Sequence, residues 1–137
     1  MISGRKARLL VIDDDSSVAD TLAMVLNASG FDATAAYSGE TALELARLMA
    51  LDNVVADVMM EPMNGIQTAL AISQIHPDCQ VLLISGNERT SQLLQDAIDA
   101  GYAFTILAKP VYPTVIINYL RGAVAPVADI CPGGLPE

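Results

Sequence analysis

The sequence predicts an α/β fold in which helices cover both faces of a parallel sheet. Short apolar runs alternate with segments whose apolar residues recur at the period of a helix, so that a strand is followed by a helix five times. The strands are apolar nearly throughout, which is typical of strands buried on both faces. With right-handed crossovers, this pattern gives a doubly wound three-layer sandwich with a five-stranded parallel sheet and five helices.

Each predicted strand is an apolar run of four to six residues bounded by polar or turn-forming residues. The fourth strand has the longest uninterrupted run, with four large aliphatic residues in a row at 81–84. The third is apolar until Asp57. In chain order, the strands are predicted at residues 7–12, 31–36, 53–58, 80–85 and 103–108.

Each predicted helix carries apolar residues spaced by three or four positions and is bounded by a start or stop signal. Asp15 or Ser16 can cap the first helix, whose apolar face consists of Val18, Leu22, Val25 and Leu26. Ser38 can cap the second, and Pro77 stops the third. The helices are predicted at residues 16–29, from Ser38 to about 51, and at 65–76, 90–100 and 114–124.

The length of 137 residues suits one domain, which we predict at residues 1–125. Residues 126–137 contain three prolines and two glycines and are predicted to form a C-terminal tail. We expect no effector domain in this tail. The output of the protein would then be a protein contact, a relay step or homodimerisation.

The charge of the chain excludes several classes of partner. Seven basic and 16 acidic residues give a net charge of −9, which argues against direct nucleic-acid binding and against an anionic membrane surface. No signal peptide or membrane-length apolar run is present. Cys79 and Cys131 form no CxxC pair, so a disulfide scaffold or zinc site is not expected. These features predict a cytoplasmic protein with free thiols.

The side chains suited to chemistry lie at the C-terminal ends of the predicted strands. Asp13 and Asp14 follow the first strand, Asp57 lies in the third, Ser85 ends the fourth and Lys109 follows the fifth. In a flavodoxin-like strand order, 2-1-3-4-5, the ligand crevice lies between strands one and three, outside their carboxyl ends. This order would bring the acids together.

A cluster of three carboxylates needs a counter-charge, because like charges a few ångströms apart cannot all stay ionised. A divalent cation such as Mg²⁺ prefers such oxygen ligands. With Lys109 opposite, the site suits phosphoryl transfer to Asp57 as the nucleophile. Taken singly, the acidic run 13–15 is more often a helix cap, and Ser85 and Lys109 are more often ordinary polar residues.

Four motifs in this order resemble the receiver domains of response regulators in two-component signalling. The resemblance covers residues 6–124, nearly the whole chain. The motifs are LLVIDDD at 9–15, DVMMEPMNG at 57–65, VLLISG at 81–86 and KP at 109–110.

The resemblance implies a metal site and a phosphoacceptor. Asp14 would bind Mg²⁺ directly and Asp13 mainly through water. Asp57 would be both a metal ligand and the phosphoacceptor, and the backbone carbonyl of Met59 would be a further ligand.

The resemblance also implies the partners of the phosphoryl group. Lys109 would contact the phosphoryl oxygens, and Ser85 would move toward them after transfer. The bond between Lys109 and Pro110 would be cis. The donor would be a phosphohistidine on a sensor histidine kinase or a histidine phosphotransfer protein. The domain would catalyse only its own phosphorylation and dephosphorylation.

Two departures from the family pattern leave an alternative open. Glu61 stands where a proline is usual, and Ile106 stands where the family has an aromatic switch residue. A degenerate receiver that acts as a non-phosphorylated interaction module is the alternative. A third hypothesis is a small-molecule phosphatase with an aspartate nucleophile. Such enzymes carry a second aspartate two places after the first, where this chain has Met59.

Overall fold

The computed structural model of the chain describes residues 6–86, 95, 99, 101 and 104–121. Its strands are β1 (Arg8–Ile12), β2 (Asp32–Ala36), β3 (Asn53–Asp57), β4 (Gln80–Ser85) and β5 (Thr105–Ala108). Its helices are α1 (Ser16–Ala28), α2 (Gly39–Leu48), α3 (Gly65–Ile75) and α4 (Pro113–Leu120). The helix predicted at 90–100 lies outside the described residues except for Gln95 and Asp99, which are helical, and the predicted tail lies wholly outside them.

The five strands form one parallel sheet in the order β2-β1-β3-β4-β5, which confirms the predicted topology. Ile12 of β1 pairs with Ala56 of β3. The residues that follow this pair are Asp13 and Asp57. The register of two buried strands therefore brings two carboxylates to the same edge of the sheet.

Two hydrophobic clusters, one on each face of the sheet, confirm the three-layer arrangement. Leu9 and Val11 belong to the α1–α4 cluster, which packs against α1 and α4. Leu10 and Ile12 belong to the α2–α3 cluster on the opposite face. Because successive residues of a strand point to opposite faces, a strand buried on both sides must be apolar at every position.

The buried face of α1 differs from the predicted one. Ala19, Ala23 and Leu26 are buried, whereas Val18 is 49% exposed. Helical spacing alone does not show whether the small alanines or the larger apolar residues of α1 pack against the sheet. The close approach of α1 to the sheet is possible because two of the three buried side chains are methyl groups.

The helix boundaries follow local capping groups. Of the two candidate caps of α1, Asp15 is the N-cap, and its carboxylate accepts a hydrogen bond from the Ser17 backbone N–H at 3.1 Å. Ser38 caps α2 as predicted. The prediction that α2 continues to about Leu51 was wrong, because Met49 already has an extended backbone.

His76 joins two helices at the end of α3. Its Nε2 lies 2.6 Å from the Ala46 carbonyl oxygen of α2. Among the described residues, no helix has the length and apolar character needed to cross a membrane.

Candidate functional site

Three carboxylates meet at the carboxyl edge of the sheet, as the sequence predicts. One oxygen from each of Asp13, Asp14 and Asp57 lies within 4.8 Å of the other two. The Asp13 backbone N–H donates to the Ala36 carbonyl at 3.1 Å, which holds the end of β1 against the end of β2. Asp13 and Asp57 are buried, whereas Asp14 is exposed. The cluster therefore has a fixed inner side and an open outer side.

The Asp57 carboxylate is buried, and one of its oxygens is not hydrogen-bonded within the part of the chain that the structure describes. Its side chain is 8% exposed, and Oδ1 accepts no hydrogen bond from any described residue. The Lys109 Nζ lies 3.3 Å from this oxygen and supplies a positive charge. A buried charge without sufficient partners is costly, so this arrangement indicates a functional site more than a structural one.

Lys109 reaches Asp57 from the end of β5, which is separated from β3 by β4. Its backbone N–H donates to the Ser85 carbonyl at 2.8 Å. The peptide bond between Lys109 and Pro110 is cis, which confirms the prediction. A Cβ on Gly86 would lie 3.0 Å from the Lys109 Cδ. Gly86 thus leaves room for the aliphatic part of the lysine as it extends toward the acids.

The acids differ in their electrostatic environments. Burial raises the pKa of Asp13 above its ordinary value, and the nearby Asp57 carboxylate adds to the rise. A hydrogen bond from the Asp15 backbone N–H to Asp13 Oδ1, at 2.9 Å, opposes this change. The pKa of Asp15 is lowered, mainly because the Ser17 hydroxyl donates to its carboxylate. A nearby cation would favour the ionised form of Asp13, because it would oppose the effect of burial.

The sequence matches the response regulator receiver domain over residues 9–121, which is most of the chain. The chain belongs to this family. The family consists of signalling modules of two-component systems. Receiver domains typically bind Mg²⁺ at an acidic pocket, and this structure has an acidic cluster formed by Asp13, Asp14 and Asp57.

Two curated relatives illustrate how the receiver domain is used in longer proteins. The transcriptional regulatory protein GlrR of Escherichia coli K12 is 27% identical over 133 residues, and ZraR of Salmonella typhimurium is 36% identical over 110 residues. These matches cover 93% and 80% of this chain, but 29% and 24% of the relatives. The receiver domain therefore spans less than a third of either relative.

Solved structures show the same fold. The chemotaxis protein CheY4 of Vibrio cholerae matches with a TM-score of 0.75 at 24% identity, over 85% of this chain and 98% of that one. A Burkholderia pseudomallei response regulator, solved with a phosphorylated aspartic acid, a calcium ion and citrate, matches with a TM-score of 0.74 at 27% identity. That match covers 84% of this chain and 66% of the other chain.

Ser85 lies at the predicted strand end but belongs to the opposite face from Asp57. It is buried at the end of β4. Ile84 packs against the α1–α4 cluster, so alternation assigns Ser85 to the α2–α3 face. Val55 is in the α1–α4 cluster, which assigns Asp57 to that face. The structure thus brings the three acids and Lys109 together, with Ser85 at the same edge but on the other face.

Two cavities adjoin the acids of the receiver domain. The larger, about 930 Å³, lies between α1 and α4 and is lined by Asp13, Asp57 and Lys109 together with apolar residues that include Val18 and Val111. Sequence reasoning missed this apolar wall, because it assigned Val18 to the packed face of α1. The smaller cavity, about 460 Å³, lies beside the β3–α3 loop.

One backbone oxygen accepts two hydrogen bonds within the segment between β3 and α3. The Val58 carbonyl accepts hydrogen bonds from the Met60 N–H at 3.1 Å and the Gly65 N–H at 2.9 Å. A Cβ on Gly65 would lie 2.2 Å from the Asp57 carbonyl oxygen, so only glycine permits this approach. The sequence shows this glycine, but its contact with the backbone of Asp57 is visible only in the structure.

Proposed function

We propose that residues 1–125 form a phosphorylation switch that accepts a phosphoryl group on Asp57 in a Mg²⁺-dependent reaction. The donor would be the phosphohistidine of a sensor histidine kinase or histidine phosphotransfer protein. The observation that carries this proposal is the buried Asp57 carboxylate, whose Oδ1 has no hydrogen bond from a described residue and lies 3.3 Å from the Lys109 ammonium.

The residues present fit a magnesium ion. Hard cations prefer oxygen ligands, and the oxygens of three carboxylates lie within 4.8 Å of one another. The Asp57 Oδ1, which has no hydrogen bond from a described residue, offers a further oxygen ligand. Asp14 and Asp57 would bind the ion directly, Asp13 mainly through water, and the Met59 carbonyl would complete the protein ligands. When bound, the ion neutralises negative charge on the phosphoryl oxygens.

The transfer itself needs little covalent chemistry from the protein. An Asp57 carboxylate oxygen forms a bond to phosphorus while the bond from phosphorus to the donor nitrogen breaks, which leaves an acyl phosphate and a histidine. The Lys109 ammonium stabilises the negative charge of the phosphoryl oxygens. The exposed side of the cluster at Asp14 and the larger cavity leave the site open to a donor.

Phosphorylation would then change partner affinity by shifting an existing equilibrium. In the unmodified state, Lys109 pairs with Asp57. After transfer, the lysine would face phosphoryl oxygens, and the Ser85 hydroxyl would move toward them from its own face of the sheet. The output would be a contact with a downstream protein, a relay step or homodimerisation.

The test is intact-mass analysis after incubation with acetyl phosphate and Mg²⁺. We expect the wild-type protein to gain the mass of one phosphoryl group and Asp57→Asn to gain none. Asp78→Asn, an exposed change before β4 at the opposite edge of the sheet, is the matched control and should behave like wild type. Absence of the adduct in wild type, together with no binding of beryllofluoride and Mg²⁺, would instead support the degenerate interaction module.

A further inference from the structure

The smaller cavity beside the β3–α3 loop connects an unusual residue to the acidic cluster. It is lined by Asp14, Met59, Met60, Glu61, Pro62 and Asn64. Asp14 belongs both to this lining and to the cluster of three acids. Glu61 is exposed, and its side chain forms no hydrogen bond or ion pair with the rest of the described chain. A carboxylate with no partner among the described residues therefore shares a cavity with a proposed metal ligand.

The loop that carries Glu61 is fixed at both ends. The Val58 carbonyl accepts from the Met60 and Gly65 N–H groups. Asn64 forms a capping box with Gln67, in which the Asn64 side chain accepts from the Gln67 N–H at 2.8 Å and the Gln67 side chain accepts from the Asn64 N–H at 2.9 Å. The backbone at Glu61 is thus held by hydrogen bonds on either side of it.

We propose that Glu61 is a positioning residue for the divalent cation and accepts hydrogen bonds from water molecules in its hydration shell. This inference rests on the proposed function. Glu61 is outside the group of acids whose oxygens lie within 4.8 Å of one another, which favours contact through water over direct binding of the same ion. Magnesium keeps several of its water ligands in protein sites, and a carboxylate across a cavity from the ion can bind those waters.

Charge supports this role. Three carboxylates and one ammonium leave the proposed site with two net negative charges. Glu61 adds a third on the open side, where Asp14 is exposed. A unit charge opposite a divalent ion, one water layer away and in contact with solvent, should change the affinity roughly five- to tenfold.

The test is the affinity for Mg²⁺ alone, measured by isothermal titration calorimetry at fixed ionic strength. We expect Glu61→Gln, which keeps the shape of the side chain, to weaken binding roughly five- to tenfold. Glu61→Asp should recover part of the loss. Glu44→Gln on the exposed surface of α2 removes the same charge away from this cavity and should bind like wild type.

The outcomes separate this inference from the function on which it rests. If wild type binds Mg²⁺, Asp14→Asn does not, and Glu61→Gln binds like wild type, the role of Glu61 is overturned while the metal site stands. Equal losses in Glu61→Gln and Glu44→Gln would also overturn it, since only general charge would then matter. If wild type binds no Mg²⁺, both proposals fail.

Discussion

Replacement of Gly65 by alanine tests whether the backbone at the start of α3 positions Asp57. The new Cβ would lie 2.2 Å from the Asp57 carbonyl oxygen, 2.8 Å from its carbonyl carbon and 2.9 Å from the Val58 Cα. All three neighbours are backbone atoms, so no rotation of a side chain can relieve the overlap. Restoring an ordinary contact of 3.4 Å at the oxygen requires a displacement of about 1.2 Å.

The expected cost follows from this displacement. Overfilling a packed site costs about 1–3 kcal/mol, and the higher helix propensity of alanine returns about 1 kcal/mol at most. We therefore expect a net loss of about 1–2 kcal/mol in the free energy of unfolding. The larger effect should be on phosphorylation, because a shift of about 1 Å in a reacting group costs on the order of 100-fold in rate.

Gly39→Ala is the matched control, because Gly39 is likewise the first residue of its helix. Its Cβ would meet side chains, the Met63 thioether at 2.6 Å and the Thr68 hydroxyl at 2.5 Å, and it lies away from Asp57. Urea denaturation followed by circular dichroism gives the stability, and intact-mass time courses with acetyl phosphate give the rate. A Gly65→Ala variant phosphorylated as fast as Gly39→Ala would refute the positioning argument.

Three further predictions concern single residues. Burial raises the pKa of the Cys79 thiol to about 12. Its alkylation near neutral pH should therefore be roughly 1,000-fold slower in folded protein than in urea, and equal rates by peptide mass spectrometry would contradict this. The pKa of Asp15 is lowered in the folded protein, so its ionised carboxylate stabilises the fold at pH values above the unfolded pKa of 3.8. This stabilisation is lost as the pH falls through the folded pKa. Asp15→Ala should therefore lower the urea midpoint at pH 7 and approach wild type in acid, and a gap that persists in acid would exclude this linkage. Met59 offers no hydrogen bond to an attacking water, so Met59→Asn should shorten the acyl-phosphate lifetime several-fold, up to about tenfold. Wild type should lose its phosphate slowly, and rapid loss with Mg²⁺ alone would refute this expectation.

The sheet order and the meeting of the acids are predictable from the sequence for a simple physical reason. Parallel strands buried on both faces give continuous apolar runs, and their carboxyl ends share one edge. Asp13 and Asp57 follow such runs, so their proximity needs only the strand order. The cis bond at Pro110 was predicted from the resemblance to receiver domains.

Other features depend on packing that the sequence does not encode locally. The spacing of apolar residues in α1 fits Val18 as well as Ala19, and only the fit against the sheet selects the alanine. No glycine or proline marks the early end of α2, where Met49 already has an extended backbone. Gly65 lies close to the Asp57 carbonyl because hydrogen bonds to the Val58 carbonyl fold the loop between them.

The crowding of Asp13, Asp14 and Asp57 has a consequence for the energetics of the whole domain. Mutual repulsion and burial lower the stability of the metal-free fold, and a bound cation would return that free energy through linkage. The melting temperature would then report the concentration of free magnesium, and a chelator would act as a mild denaturant. Asp57→Asn would remove one of the repelling charges together with the proposed phosphoacceptor, the trade-off between stability and activity expected where a reactive group is buried.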